Sequence, residues 1–466
     1  MKKGVIEMSK FIGNKQFYKM LFAIVMPIVL QQFITQFVGL LDNLMVGQVG
    51  TSEMTGVSLA NQLLFVFNLG VFGSLSGVSI FATQYFGAKN KEKYQEAFRF
   101  KWILTCIIFL ITTTIFILFS EQLLSIFINS QEGEDANPEL VLLHGKQYLW
   151  IMLIGNFAFI IKEIYASSLR EMKETFVPMI SGIIAIFVNL VFNYLLIFGK
   201  LGFPTLGVEG AAIATVTSRF VEMFVIIIYV QIKKEKFNYF KKIFIGKVHF
   251  SFVKRVIPKT LLLLTNEVLW ALGLTLILSC YGIRGLDFVA SFNICNTINN
   301  VFITVGTSLG NATAIILGNK IGKNDVVGAK EDSYKILFFS VVVSIFFTSI
   351  MVLTSRALPN LYNTTESIKN VATNLILIAA ILLPLHSFNT CCYFTLRSGG
   401  RILITILFDS VFVLLVRLPL AFVLAKYTSL NIYFVFACVT GIDILKVFIG
   451  YILVDKGIWL KSLVEN

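Results

Sequence analysis

Asp42 stands at the end of an apolar run that carries no other charge from Met20 onward, and no Lys or Arg adjoins it. Asn189 and Asn193 lie i,i+4, on one face of a helix. Thr215 follows in a third apolar run. A carboxylate, two amides and a hydroxyl at one depth could hold a proton or wrap a small cation such as sodium with oxygen ligands. The same groups could equally form a hydrogen-bonded cluster that only joins helices, a common use of Asn and Thr away from water.

Other residues in apolar runs could also do chemistry. Glu267 could serve a second cation site, face a cationic substrate, or pair with Arg417 or Lys446. His386, with an unperturbed pKa near ~6.5, could shuttle protons or be hydrogen-bonded filler. Glu163 adjoins Lys162; the two are expected to face different ways, with Lys162 reaching along the helix to the headgroups and Glu163 short of a partner. Arg219 with Glu222, and Asp443 with Lys446, are spaced i,i+3 and read as intrahelical ion pairs. Asp409 could bond Arg401 or face a cavity. Pro27 removes a backbone hydrogen bond inside its run, which would kink or loosen a helix there.

These residues need elements to carry them. Of 466 residues 56% are hydrophobic and 14% charged, with a mean hydropathy of +0.81, so lipid is the solvent for much of the chain. Twelve apolar stretches, from Met20–Leu41 to Ile432–Val454, are each near or above the roughly 20 residues that cross a ~30 Å hydrocarbon core. Backbone satisfaction in lipid then requires helices. The first stretch is too long for a signal-peptide core and is expected to be retained. At ~1.5 Å per residue, Asp42, Asn189, Asn193 and Thr215 fall roughly 5 to 14 Å inside the outer ends of their spans. The six cysteines (Cys106, Cys280, Cys295, Cys391, Cys392, Cys438) read as small buried hydrophobes.

Lys and Arg set the orientation. Six of the 39 (Lys146, Lys200, Arg284, Arg356, Lys369, Lys426) fall in loops after odd-numbered spans, and four (Lys162, Arg219, Arg417, Lys446) fall within spans. The rest occupy the termini and the loops after even-numbered spans, which places both termini in the cytoplasm of a multi-pass cell-membrane protein. Topology thus accounts for the net charge of +13. No basic helix or aromatic-interleaved patch suggests nucleic acid. No phosphate-binding loop, zinc pattern or nucleophile elbow suggests an enzyme, and no cofactor is expected.

The chain repeats itself. Pro27, Gly50, Val57 and Asn61 match Pro258, Gly282, Val289 and Asn293 at offsets of 231 or 232. Gln84 and Gly87 match Asn319 and Gly322, and Leu169-Arg170 matches Leu396-Arg397. Six spans per half make the repeats parallel, a construction used by transporters that rock two lobes around a central site. The expected lobes are residues 1–232 and 256–466. The basic stretch 233–255 joins them as a cytoplasmic amphipathic linker at the headgroups.

Taken in order, MPIVLQQFITQFVGLLDNLMVGQVG, VSLANQ, ATQYFGAKN, SLREMKETFVPM, VNLVFNYLLIFG and LGVEGAAIATVTSR resemble the multidrug and toxic compound extrusion (MATE) transporters over nearly the whole chain. The second half matches more loosely, through ILGNKIGKND and TLRSGGR, whose glycines look DinF-like rather than NorM-like. The resemblance implies an all-α fold of twelve membrane helices in two pseudo-symmetric six-helix lobes. It implies a cation-coupled antiporter that exports amphipathic, often cationic, organic compounds by alternating access and works as a monomer in the lipid bilayer. Asp42, Asn189 and Thr215 fall on the family's amino-terminal-lobe cation site, and Pro27 on a proline implicated in bending span 1. Asn193 departs from the aspartate that many members carry, which weakens a sodium reading and favours protons. An apolar site favours the neutral form of a carboxylic acid, as proton exchange near neutral pH requires. The alternatives are a lipid-linked-oligosaccharide flippase of the same superfamily, which would need a cavity rich in Arg or Lys, and a channel or non-transporting scaffold.

Overall fold

A computed structural model describes residues 10–128, 137–240, 246–362 and 364–464. Among them are twelve helices long and apolar enough to cross a membrane. The first six are α1 (Lys15–Gly47), α2 (Thr51–Gly87), α3 (Lys91–Ile128), α4 (Pro138–Glu171), α5 (Phe176–Phe198) and α6 (Gly207–Ile232). Next come α7 (Phe250–Gly282), α8 (Leu286–Gly322), α9 (Val326–Thr354) and α10 (Glu366–Ser398). The last two are α11 (Ile402–Tyr427) and α12 (Ile432–Asp455). Part of the basic linker, residues 241–245, lies outside the described residues.

Local chemistry sets the ends of several helices. Asn137 caps α4 by accepting from the Glu139 amide, and Pro138 fills the first turn, where its missing N–H costs nothing. Thr365 and Asp325 cap α10 and α9 in the same way. Helix α1 runs through Pro27 without a break in its helical assignment. Helices α11 and α12 are less regular. Two π-helical turns, Leu407–Val411 and Val413–Arg417, interrupt α11, and α12 breaks between Ile432–Gly441 and Ile444–Asp455. A π turn inserts an extra residue and redirects the side chains around it.

The chain forms two compact units. The first comprises Leu30–Ala82 and Lys91–Thr260; the second gathers residues up to Val29, Thr83–Asn90 and the chain from Leu261 onward. The division crosses α1 one turn from Pro27.

In the first unit, Gly56 of α2 and Gly145 of α4 let two backbones meet: a Cβ on Gly56 would lie 2.6 Å from the Val141 carbonyl oxygen. In the second unit, an apolar core joins Tyr281 and Ile277 of α7, Phe288 of α8, Leu375 and Leu383 of α10, Val413 of α11 and Phe436 of α12. The repeated Gln84/Gly87 and Asn319/Gly322 motifs pack on each other here. A Cβ on Gly87 would collide with the Asn319 carbonyl, and one on Gly322 with the Gln84 carbonyl. Gln84 also donates to the Ser398 carbonyl at 2.9 Å and accepts from the Leu463 amide at 2.7 Å, tying the end of α10 to the carboxy-terminal segment. Gly322→Val should therefore lower stability by about 1–3 kcal/mol, the usual cost of overpacking. Thermal unfolding in detergent checks this, with Gly282→Val as the tolerated control because its nearest neighbour is 4.0 Å from the added Cβ.

Candidate cation-coupling site

The tight α5–α6 hairpin positions three of the four candidate residues. Gly199 ends α5 in the left-handed conformation (φ 63°), the Leu206 amide donates back to the Leu196 carbonyl at 2.8 Å, and Gly210 approaches that carbonyl so closely that a Cβ would lie 2.6 Å from it. Asn189 and Asn193 on α5 consequently face Thr215 on α6. Asp42 arrives from α1.

All four meet, within the first unit. Asn193 Nδ2 donates to Asp42 Oδ1 at 2.5 Å and to Asn189 Oδ1 at 3.2 Å, and Asn189 Nδ2 donates to Thr215 Oγ1 at 3.3 Å. Asn189 and Asn193 are 3% and 1% exposed, so their amides depend on these partners; Asp42 is half-buried. Asn193 Oδ1 is buried without a hydrogen-bond partner. The Tyr148 hydroxyl of α4 faces Thr215 and Asn61 of α2. Tyr148 and Asn61 enlarge the site beyond the sequence reading. Asn61 carried a signal as a repeated residue, whereas Tyr148 carried none.

The charged residues below this cluster pair differently from the sequence expectation. Arg219 does not pair with Glu222. Its Nη1 donates to Asn156 Oδ1 of α4 at 2.7 Å, and Glu222 goes to Lys162 of α4 at 3.6 Å. The same correction holds for α12, where Asp443 pairs with Arg417 of α11 at 3.7 Å and Lys446 with Asp409 of α11 at 3.3 Å. In both cases a neighbouring helix supplies the partner: a neutral amide for Arg219, and an opposite charge for Glu222, Asp443 and Lys446. Glu163 is not short of partners: Lys162 Nζ curls back to it at 2.6 Å and Arg170 reaches it at 3.2 Å. The long flexible lysine stem makes a contact that the directions of adjacent side chains seemed to forbid.

Glu163, Glu267 and His386 are carried by α4, α7 and α10 respectively. Glu163 belongs to the first unit, while Glu267 and His386 belong to the second. Glu267 makes no hydrogen bond or ion pair among the described residues, and neither Arg417 nor Lys446 reaches it; Arg397 and Asp409 are the charges it senses. His386 lies 3.5 Å from Thr390 Oγ1. Beside Glu267 runs a network that sequence reasoning missed. Asn266 Nδ2 lies 3.3 Å from both the Tyr393 hydroxyl and Asp409 Oδ2, and Ser410 Oγ lies 2.7 Å from the Asn266 carbonyl. Asp409 does not bond Arg401, which donates to the Ile458 carbonyl.

Asp409 and Lys446 have side chains 20% and 9% exposed, so removing one leaves the other buried and uncompensated. Lys446→Met should cost about 3–5 kcal/mol, and the double variant Asp409→Asn/Lys446→Met should recover most of it. Unfolding of the purified variants in detergent checks both outcomes.

Comparison with known proteins returns one consistent picture. The MatE family model matches residues 27–195 and 262–423. The "Probable multidrug resistance protein NorM" of Thermotoga maritima is 25% identical over 418 residues, covering 89% of this chain and 87% of that protein. The "Multidrug resistance protein MdtK" of Pectobacterium atrosepticum is 23% identical and covers 77% of each. Among solved structures, a mutant of the Vibrio cholerae MATE transporter VcmN superposes with a TM-score of 0.86 at 14% identity, over 98% of this chain and 99% of that one.

Proposed function

The chain belongs to the MatE family, and from that premise we propose that it is a proton-coupled multidrug efflux antiporter that uses Asp42 as its proton carrier. The Asp42–Asn193 contact carries this reading. A carboxamide offers both a donor and an acceptor, so Asn193 can donate to an ionised Asp42 and, turned over, accept from a protonated one. Its unpartnered Oδ1 is the acceptor that the protonated acid would use. An aspartate in that place would bring a second negative charge to the cluster and favour a metal cation. With a single carboxylate, one proton neutralises the cluster.

The cycle follows from that charge change. Substrate enters a central cavity from the cytoplasm, and protonation of Asp42 from outside biases the lobes, residues 1–232 and 256–466, toward outward release. Pro27 lies in α1 between Asp42 and the cytoplasmic end, where a missing hydrogen bond eases bending. The substrates are amphipathic, often cationic, compounds bound by apolar contact, cation–π attraction and charge. Glu267, a carboxylate without an ion pair, is a counter-charge for them. The protein works as a monomer in the cell membrane with both termini in the cytoplasm. The Gly-rich ILGNKIGKND and TLRSGGR segments place it, in this reading, in the DinF-like branch.

Sodium is the second reading. Asp42, Thr215 and the two amide oxygens of Asn189 and Asn193 supply an oxygen set that a hard cation could use. Proteoliposomes with the two gradients imposed separately decide between them: a proton gradient alone should drive substrate movement, and a sodium gradient alone should not. Asp42→Asn should abolish export while the protein still inserts. Normal drug resistance in cells expressing that variant would overturn the assignment.

A further inference from the structure

One polar seam runs through the first unit along a single face of α4. Tyr148, Asn156, Phe159, Glu163 and Arg170 recur at helical spacing over 22 residues, about 33 Å at 1.5 Å per residue. That is close to the full hydrocarbon thickness. Thr215, Arg219 and Glu222, at i, i+4 and i+7, form the matching face of α6. Gly155 lets the two helices close: a Cβ there would lie 2.9 Å from Val216 Cγ2 and 3.4 Å from Arg219 Cδ.

Acidic groups stand toward both ends of the seam, and Arg219 lies between them. At one end Asp42 joins Asn193, Asn189, Thr215 and Tyr148. At the other, Glu222 and Glu163 share Lys162, and Arg170 closes on Glu163. The Glu222 carboxylate faces Gly182 of α5, 3.7 Å from where a Cβ would stand. The Arg219 guanidinium, between the two groups, and the Lys162 ammonium of the second group lie 5.1 and 4.9 Å from the centre of the Phe159 ring. Among the described residues Arg219 makes no ion pair, because Glu222 is taken by Lys162 and the guanidinium is held by the neutral Asn156. A guanidinium at membrane depth that no carboxylate contacts is expensive to hold and is a candidate for function.

A fixed cation across a polar pathway excludes protons and other cations. We infer that Arg219, anchored on Asn156 and set over the Phe159 ring, is an electrostatic barrier that stops protons from leaking between the Asp42 cluster and the Glu222–Glu163 carboxylates. Asp42 then delivers its proton only when the transporter changes conformation. The inference rests on the proton reading of the coupling site and adds the element that keeps it coupled.

The test is substrate-free proton flux into proteoliposomes loaded with a pH dye under an inside-negative potassium diffusion potential. Arg219→Gln should raise flux about thirtyfold, the effect of removing a unit charge about 8 Å from the path at an effective dielectric near 20. Arg219→Lys should stay at the wild-type rate, and adding Asp42→Asn to Arg219→Gln should return the flux to baseline. Arg219→His gives a second reading within one folded protein: tight near pH 5, where the imidazole is cationic, and leaky near pH 8, where it is neutral. Wild-type rates in Arg219→Gln, or pH-independent flux in Arg219→His, in a protein that still couples substrate to protons, overturn the barrier. Absence of substrate-coupled proton flux in the wild type overturns the proton reading instead, whatever the variants do.

Discussion

Lipid offers no hydrogen bonds, and this constraint organises the whole molecule. Each polar side chain within a span must find its partner in protein or bear a cost of several kcal/mol. The helices are therefore held together where their polar groups meet: α1 to α5 through Asp42–Asn193, α4 to α6 through Asn156–Arg219 and Lys162–Glu222, and α7 to α11 and α12 through Asn266–Asp409–Lys446. Apolar packing alone cannot specify such pairings, because lipid tails are as apolar as leucine. Polar contacts select which helices are neighbours, and glycines such as Gly155 and Gly56 let them come close enough to make those contacts.

The same constraint explains what the sequence revealed. The spans were legible because length and hydropathy are properties of one segment at a time. The Asp42 cluster was legible because its residues share a depth and Asn189 and Asn193 share a helix face, both of which follow from counting along a helix. The ion pairs were not legible. Arg219 and Glu222 are adjacent on α6, yet each bonds to α4. Sequence spacing reports neighbours on one helix and is silent on the helix opposite, which here supplied the contacting partners. The π turns of α11 were equally hidden: nothing in ILITILFDSVFVLLVR announces an extra residue per turn, although those turns carry Asp409, Ser410 and Arg417.

The repeated halves raise the question of why, among the described residues, the Asp42 cluster has no counterpart in the second half. In repeat register, Asp42 falls near Gly273 of α7. A Cβ on Gly273 would lie 2.7 Å from Val413 Cγ1, inside the π-helical segment of α11. A carboxylate there would displace the Val413 side chain from its packing, and α11 is fixed to α7 by Ser410 on the Asn266 carbonyl and to α12 by Asp409 on Lys446. The second half has thus used the space of an Asp42 counterpart for a close helix contact; Asp409 and Asp443 are committed to Lys446 and Arg417, and Glu267 has no ion pair among the described residues. The two halves of one plan thus differ at a single position: where the first half places Asp42, the second packs Gly273 of α7 against Val413 of α11.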